Sequence, residues 1–292
     1  MQLSIFKKDS KQNCKPFKKQ LLKWIGNKQR FASEIISYFP SNIKTYYEPF
    51  LGSGAVLGTL APEKAYCSDV FTQLIEIWEC LKSNPDELNK WYKERWEYFS
   101  STDRNEAFEK IKADYNKEPN GADLLFISRA CYGGVVRFRK LDGYISTPVG
   151  VHNPVSPVSF SQRTHLWHER IVDTEFSVSD FEDAMLSAKN GDLIYCDPPY
   201  VDSQSILYGA QEFTLKRLFR VIDKCSYRGV YVVLSIDGTK KSGSKLCDIN
   251  IPNGLFKREI MVNVGRSMLK RFQMNGKSLE DHEVKDRLLL NY

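Results

Sequence analysis

At 292 residues and 33.7 kDa, with 42% hydrophobic residues, the chain can hold one large α/β domain, or one domain plus an insert. Its formal charge of +6 is unevenly placed: Lys7, Lys8, Lys11, Lys15, Lys18, Lys19, Lys23, Lys28 and Arg30 face the single acid Asp9, which favours a polyanionic partner such as nucleic acid. The seven cysteines form no CxxC pair and no apolar run is long enough to span a membrane, so a disulfide framework, a zinc site and a membrane anchor are not expected.

In chain order, a basic turn comes first, Leu22-Lys23-Trp24-Ile25-Gly26-Asn27-Lys28, followed by a helical stripe at Phe31, Ile35, Ile36 and Phe39. A strand is expected over Lys44 to Phe50. It ends in Tyr47-Glu48-Pro49-Phe50-Leu51-Gly52-Ser53-Gly54, where Gly52 and Gly54 turn tightly and let backbone approach a ligand. A strand over Lys64 to Ser68 ends on Asp69, and a helix follows through Leu74, Ile75, Trp78 and Leu81. An acid at that strand end suits the hydroxyls of a ribose, and the missing third glycine of GxGxxG argues against a dinucleotide.

The alternation of strand and helix then breaks. Residues 81–170 are expected as an insert, mostly helical and rich in charge and aromatics (Trp91, Trp96, Phe99, Phe108, Tyr115). Its later part, around Leu141-Asp142-Gly143, has the pattern of a β-hairpin, with Arg137, Arg139 and Lys140 on the first arm. Residues 1–80 and 171–292 are expected to make the sheet domain. Strands are expected there over Thr174 to Ser179, Leu193 to Cys196, Val230 to Ile236, Phe256 to Val264 and Arg287 to Asn291, with a helix through Phe213, Leu215, Leu218, Phe219 and Ile222. The fold class is therefore α/β, a Rossmann-like seven-stranded sheet with helices on both faces and an inserted helical domain bearing a hairpin.

Ser179-Asp180-Phe181 reads on its own as a helix cap with an aromatic staple. Asp197-Pro198-Pro199-Tyr200 says more. The apolar run Leu193-Ile194-Tyr195-Cys196 is a buried strand, and two prolines stop it after a carboxylate. The result is a cup at a strand's carboxyl end, with two acceptors (the Asp197 side chain and the Pro198 carbonyl) and a stacking ring, Tyr200. Such a cup suits a flat heterocycle with an exocyclic amino group.

The order LKWxGxK, EPFxGxG, an acid after the second strand, a basic insert, DF and DPPY resembles the Dam-like, alpha-class family of DNA N6-adenine methyltransferases, over about Leu21 to Tyr292. The resemblance implies that Trp24, Lys28, Glu48, Phe50, Gly52 and Gly54 line an S-adenosyl-L-methionine site, that Asp69 holds the ribose, and that Asp180 and Phe181 contact the cofactor adenine. It implies that Asp197, Pro198, Pro199 and Tyr200 bind a target adenine flipped out of double-stranded DNA, with Asp197 near the cofactor as well. The products would be N6-methyladenine and S-adenosyl-L-homocysteine, with no metal. Lys23, Tyr132, Arg137, Arg139 and Lys140 would meet DNA, and Arg266, Lys270 and Arg271 are further basic candidates.

Two departures stand out. GATC-specific members carry Tyr-Asn-Gly where this chain has Tyr132-Gly133-Gly134, so GATC does not carry over; and Val70-Phe71 replaces the usual x-Asn after Asp69. The nearest alternatives are a cytosine-N4 methyltransferase, which more often begins its tetrapeptide with Ser, and a catalytically silent DNA-binding relative, against which the intact glycines, Asp69 and Asp197 argue. The chain's size favours a separate methylase, with a monomer as the default expectation, in a bacterial cytoplasm or encoded by a phage or virus; protection of host DNA in a restriction-modification system alongside a restriction endonuclease is the expected role, and a solitary enzyme is the open alternative.

Overall fold

The computed structural model describes residues 14–139, 141–199, 213–237, 239–240, 245–246, 249–265 and 284–292. Tyr200, Lys140, Arg266, Lys270, Arg271 and the basic run before Cys14 lie outside the described residues.

All seven expected strands form: β1 (Tyr46–Glu48), β2 (Ala65–Asp69), β3 (Thr174–Val178), β4 (Leu193–Cys196), β5 (Tyr231–Asp237), β8 (Arg258–Gly265) and β9 (Val284–Leu290). A two-residue pair, β6 (Thr239–Lys240) and β7 (Lys245–Leu246), forms a separate small ribbon. The main sheet runs β3-β2-β1-β4-β5-β9-β8. The first five strands are mutually parallel, and β9 runs antiparallel to both β5 and β8. The chain leaves β1 for β2 on one side and returns to β4 on the other. The ends of β1 and β4 therefore border a crevice where the connections diverge, the usual ligand position in an open α/β sheet.

Successive residues of the central strands point to opposite faces. Tyr46, Leu193, Tyr195 and Val233 enter one apolar cluster; Tyr47, Ile194, Cys196, Val232 and Leu234 enter the other. Both faces are covered, so β4 reads as an unbroken apolar run. Helices α8 (Phe181–Leu186) and α9 (Leu215–Tyr227) cover the second face. The first is covered by α1 (Ala32–Ile36), α2 (Ala55–Leu60), α3 (Thr72–Ser83) and the segment after it.

That segment contains α4 (Pro85–Ser101), α5 (Arg104–Lys117), α6 (Gly121–Ala130) and α7 (Pro157–Ile171). Asn84, Asp103, Asn120 and Ser156 cap these helices through their side chains, and proline opens α4 and α7. Its aromatic residues Tyr92, Phe108, Phe126, Phe160 and Trp167 belong to the same continuous cluster as Tyr46 and Trp78 of the sheet region. Between α6 and α7 the chain forms antiparallel arms, bridged at Cys131–Val149 and Phe138–Ile145 and turned at Gly143 (φ 70°). Thr147 pins the arms: its hydroxyl accepts from the Arg137 N–H at 2.6 Å and donates to the Val135 carbonyl at 3.0 Å.

Candidate active site

Four parallel strands end on, or just before, a carboxylate: Glu48 on β1, Asp69 on β2, Asp180 two residues after β3, and Asp197 directly after β4. All four line one cavity of about 380 Å³, together with Trp24, Lys28, Phe50, Gly52, Phe181 and Pro199. The structure thus brings most of the residues singled out from sequence into one place. Gly54 stands behind the wall, where a Cβ would meet the Trp78 ring at 2.9 Å. Lys23, Tyr132, Arg137 and Arg139 stand apart, at or beside the hairpin arms.

The glycine turn is shaped by contact. Gly52 has φ 47°, its N–H bonds Asp69 Oδ2 at 3.1 Å, and its carbonyl accepts from Trp78 Nε1 at 3.2 Å. A Cβ on Gly52 would lie 3.3 Å from Trp24 Cδ1. Asp69 Oδ1 accepts from the Phe71 N–H at 3.2 Å. Burial raises its carboxyl to about 6, against the lowering effect of the Gly52 and Phe71 N–H groups.

Phe71 stands where the resemblance leads to an expected asparagine. Its ring lines the cavity, stacks 6.1 Å from Trp24 and meets Phe138 of the hairpin edge-on at 5.4 Å. One aromatic row therefore joins the cavity wall to the hairpin. At the other end Phe50 stacks on Phe181 at 5.3 Å, and Phe213 closes on both rings at 5.7 Å. Phe213 reads in sequence as a core residue ahead of α9. Its position just after the DPPY loop is the one local hint of its place in the cavity wall. Arg217 of α9 holds this corner: it lies 4.7 Å over the Phe181 ring, 2.5 Å from Asp180 Oδ1 and 3.0 Å from Glu182 Oε2.

The deep end of the cavity is charged. Glu48 accepts from the Tyr46 hydroxyl at 2.8 Å and from the Leu57 N–H at 3.0 Å. Burial lifts its carboxyl from the ordinary 4.5 to about 8; these two donors oppose the rise, and the charge of Asp197 adds to it. Lys28 is buried, with Nζ 2.9 Å from Asp197 Oδ1, 3.5 Å from Asp286 Oδ2 and 3.2 Å from the Gly26 carbonyl. Burial alone would lower its affinity for a proton. The two carboxylates outweigh burial and hold its pKa above the ordinary value. Asp286, on β9, has no local sequence signal; only the antiparallel placement of β9 next to β5 brings it here.

At the hairpin, Arg137 is exposed. Arg139 is engaged at the tip: Nε lies 3.0 Å from Asp142 Oδ1, a second nitrogen bonds the other oxygen, and the guanidinium sits 5.0 Å over the Tyr144 ring. Lys23 packs its stem on Gly134 (φ 67°), where a Cβ would meet Lys23 Cβ at 2.8 Å. Tyr132 is 38% exposed beside it. Among the described residues no group of three or more His, Cys, Asp or Glu is placed to hold a metal ion, and no helix is long and apolar enough to cross a membrane.

Residues 24–264 match the family model of the D12 class N6 adenine-specific DNA methyltransferases. The type II methyltransferase M1.LlaDCHI of Lactococcus lactis subsp. cremoris is 26% identical over 259 residues, covering 83% of this chain and 88% of the relative. The type II methyltransferase M.MjaIII of Methanocaldococcus jannaschii is 29% identical over 249 residues, covering 74% and 83%. The DNA adenine methylase of Escherichia coli K12 is 25% identical over 207 residues, covering 67% and 71%.

Proposed function

The chain belongs to the D12 class of N6 adenine-specific DNA methyltransferases, and we propose that its cavity binds S-adenosylmethionine and presents it to an adenine flipped out of double-stranded DNA. The observation that carries this reading is the set of four strand-end carboxylates, Asp197 among them, around one cavity that Pro199 also lines.

The residues suit that cofactor. Phe50, Phe181 and Phe213 offer faces for a purine, and Asp180 is an acceptor beside them. Asp69 offers a carboxylate to ribose hydroxyls. Glu48 and Asp197 give the deep end the sign that a sulfonium and an ammonium require. When bound, S-adenosylmethionine supplies an electrophilic methyl group and leaves as S-adenosylhomocysteine. Asp197 and the Pro198 carbonyl accept the two N–H bonds of the target amine. That favours a pyramidal nitrogen whose lone pair points at the methyl carbon. Tyr200 follows directly in the chain as a stacking partner, and base–aromatic stacking is worth about 1–3 kcal/mol. Flipping the base costs a few kcal/mol. The rate gain comes from positioning and electrostatics. Sequencing of methylated bases in DNA exposed to the protein and S-adenosylmethionine is expected to reveal N6-methyladenine in one sequence context. N4-methylcytosine, or unmodified DNA, would overturn the reading.

Glu48 makes cofactor binding depend on pH. With its carboxyl at about 8 it is mostly protonated near neutrality, yet an ammonium partner requires the carboxylate. Affinity is expected to rise up to about tenfold per pH unit until about pH 8 and then level off, with proton release visible by calorimetry in buffers of different ionisation enthalpy. For stability the sign is opposite. A carboxyl raised on folding stabilises most below the unfolded value of 4.5, and that contribution fades as pH rises toward 8. Glu48→Gln is therefore expected to raise the melting temperature of the cofactor-free protein at about pH 8 while weakening cofactor binding. A melting temperature that falls in that variant would contradict the assignment.

The hairpin and its flanks, residues 131–150, with Lys23 beside them, form the DNA-facing element of a target-recognition segment spanning residues 81–170. Arg137→Ala is expected to weaken DNA binding on all sequences alike and to reduce the salt dependence by about one counterion. A change confined to one base position would instead make Arg137 a reader of bases. We place the enzyme as the modification partner of a restriction endonuclease. Its relatives in Lactococcus lactis and Methanocaldococcus jannaschii carry type II methyltransferase names.

A further inference from the structure

The deep end of the cavity holds more charge than the transfer itself explains. Lys28 Nζ lies between two carboxylates, 2.9 Å from Asp197 and 3.5 Å from Asp286, and all three side chains are largely buried. An ammonium at that distance from Asp197 competes with any amine that needs the same carboxylate. Counting charges makes the point. Lys28 with Asp197 alone is a neutral pair, which has no net charge left for a third group. Adding Asp286 gives the cluster one net negative charge.

We infer that Asp286 is a positioning residue for methyl transfer: it neutralises Lys28, so that Asp197 keeps a negative charge to offer the target amine. As the amine arrives, Lys28 leans toward Asp286, and Asp197 turns to the amine without leaving a buried ammonium unpaired, which would be costly. As the methyl group moves, the carbon–sulfur bond breaks with its electron pair left on sulfur and the nitrogen lone pair forms the new bond; the carboxylate freed by Asp286 stabilises the positive charge on nitrogen until the surplus N–H proton leaves to solvent. The geometry suits this. β9 is held on both edges by β5 and β8, so Asp286 sits on a rigid strand, while Lys28 lies on the segment between Gly26 and α1. The inference rests on Asp197 being the acceptor of the amine.

The test is a charge-balanced set of variants: Asp286→Asn, Asp286→Glu, Lys28→Met and the double variant Lys28→Met/Asp286→Asn. Their cluster charges are neutral, one negative, two negative and one negative, respectively. Single-turnover methyl transfer to plasmid DNA is measured at saturating S-adenosylmethionine. Asp286→Asn is expected to slow transfer by about tenfold or more, with the dissociation constant for S-adenosylmethionine changed less than about threefold. Asp286→Glu restores most of the rate. The double variant is expected to be faster than Asp286→Asn, because Asp197 no longer faces an ammonium.

Should the double variant fail to fold, Asp286→Glu and the pH profile decide. Asp286→Asn removes one of the two carboxylates that hold the Lys28 proton, so Lys28 loses it at a lower pH than in the wild type, and the ratio of the Asp286→Asn rate to the wild-type rate rises as it does so. Glu48 on β1 faces the cluster, as do Tyr46 and Tyr195, whose hydroxyls burial holds well above their ordinary value; the charge of Asp286 helps hold Tyr195 up, so the profile is read below the pH at which either tyrosine ionises. Arg287, the next residue on β9, is paired with Glu259 at 3.5 Å.

An Asp286→Asn rate within about twofold of wild type overturns the inference. So does a loss that the double variant shares in full, which makes Asp286 a support of the fold alone, or an Asp286→Glu rate as low as that of Asp286→Asn, which takes the effect away from its charge. Asp197→Asn measured alongside separates the two failures: wild-type turnover in that variant sinks the assignment of Asp197 itself.

Discussion

Asp197→Asn is expected to cut the single-turnover rate of methyl transfer by about 10³-fold or more, because it removes the one charged acceptor aimed at the amine. Asparagine keeps the shape and one acceptor oxygen, so the loss isolates charge and orientation. It also changes the cluster: Lys28 then has Asp286 as its carboxylate partner, and the site has no net charge to set against the positive charge arriving on nitrogen. The fold should survive. Asp197 lies just past β4, whose four residues are held in the core by their own side chains. Lys28 keeps a carboxylate at 3.5 Å, so the stability cost should fall below the roughly 3–5 kcal/mol seen when a buried ion is left alone. Cofactor affinity should fall by far less than the rate, since Asn gives up only the charge that Asp197 offers the sulfonium while Trp24, Gly52, Asp69 and Phe181 are untouched. Rapid-quench transfer of a labelled methyl group checks the rate, and a rate within about tenfold of wild type would remove Asp197 from the chemistry.

The parts of this site that were legible in the sequence are those whose signal is local. Asp197 is legible because an apolar run ends on a carboxylate and two prolines stop the strand there. Asp69 and Glu48 are legible as acids closing short apolar strands, the second followed by a glycine turn. In each case the sequence marks a strand end, and the rule that ligands sit at such ends does the rest. Asp286 carries no such mark. It precedes the expected start of the last strand at Arg287, and it reaches the site only because β9 is inserted antiparallel between β5 and β8. Phe213 and Arg217 fit a helix pattern that tells apolar from polar faces but not what the faces meet. The same limit applies to the helices after α3: their periodicity shows amphipathic faces, while the contact of Trp167 with Trp78, 5.2 Å between ring centroids, is a long-range fact. Arg139 illustrates the opposite hazard. Counted from sequence it is a cation open to phosphate; in the structure Asp142, three residues on, already holds its fork.

Gly52→Val is expected to weaken S-adenosylmethionine binding by about 100-fold, equivalent to about 2.7 kcal/mol. Two effects combine. At φ 47° any side chain is strained, and the new Cβ would press on Trp24 Cδ1 at 3.3 Å, with the two γ-methyls of valine reaching further. The turn has little freedom to yield: the Gly52 N–H is bonded to Asp69, its carbonyl to the Trp78 indole, and Trp24 is stacked on Phe71. Moving the turn breaks the Asp69 contact; moving Trp24 opens the wall that faces the cofactor. Gly143 provides the control. It has a φ of 70°, equally unfavourable for a side chain, but a Cβ there meets nothing within 4 Å. Gly143→Val therefore carries the backbone strain without the collision, and cofactor affinity is expected to stay within about twofold of wild type. Calorimetric titration of both variants separates the causes. A large loss at Gly52 with none at Gly143 assigns the effect to the close approach of backbone and Trp24. Normal binding by Gly52→Val would mean that this turn does not form the cofactor's floor, and the assignment of the whole EPFxGxG segment to the methyl donor would fall with it.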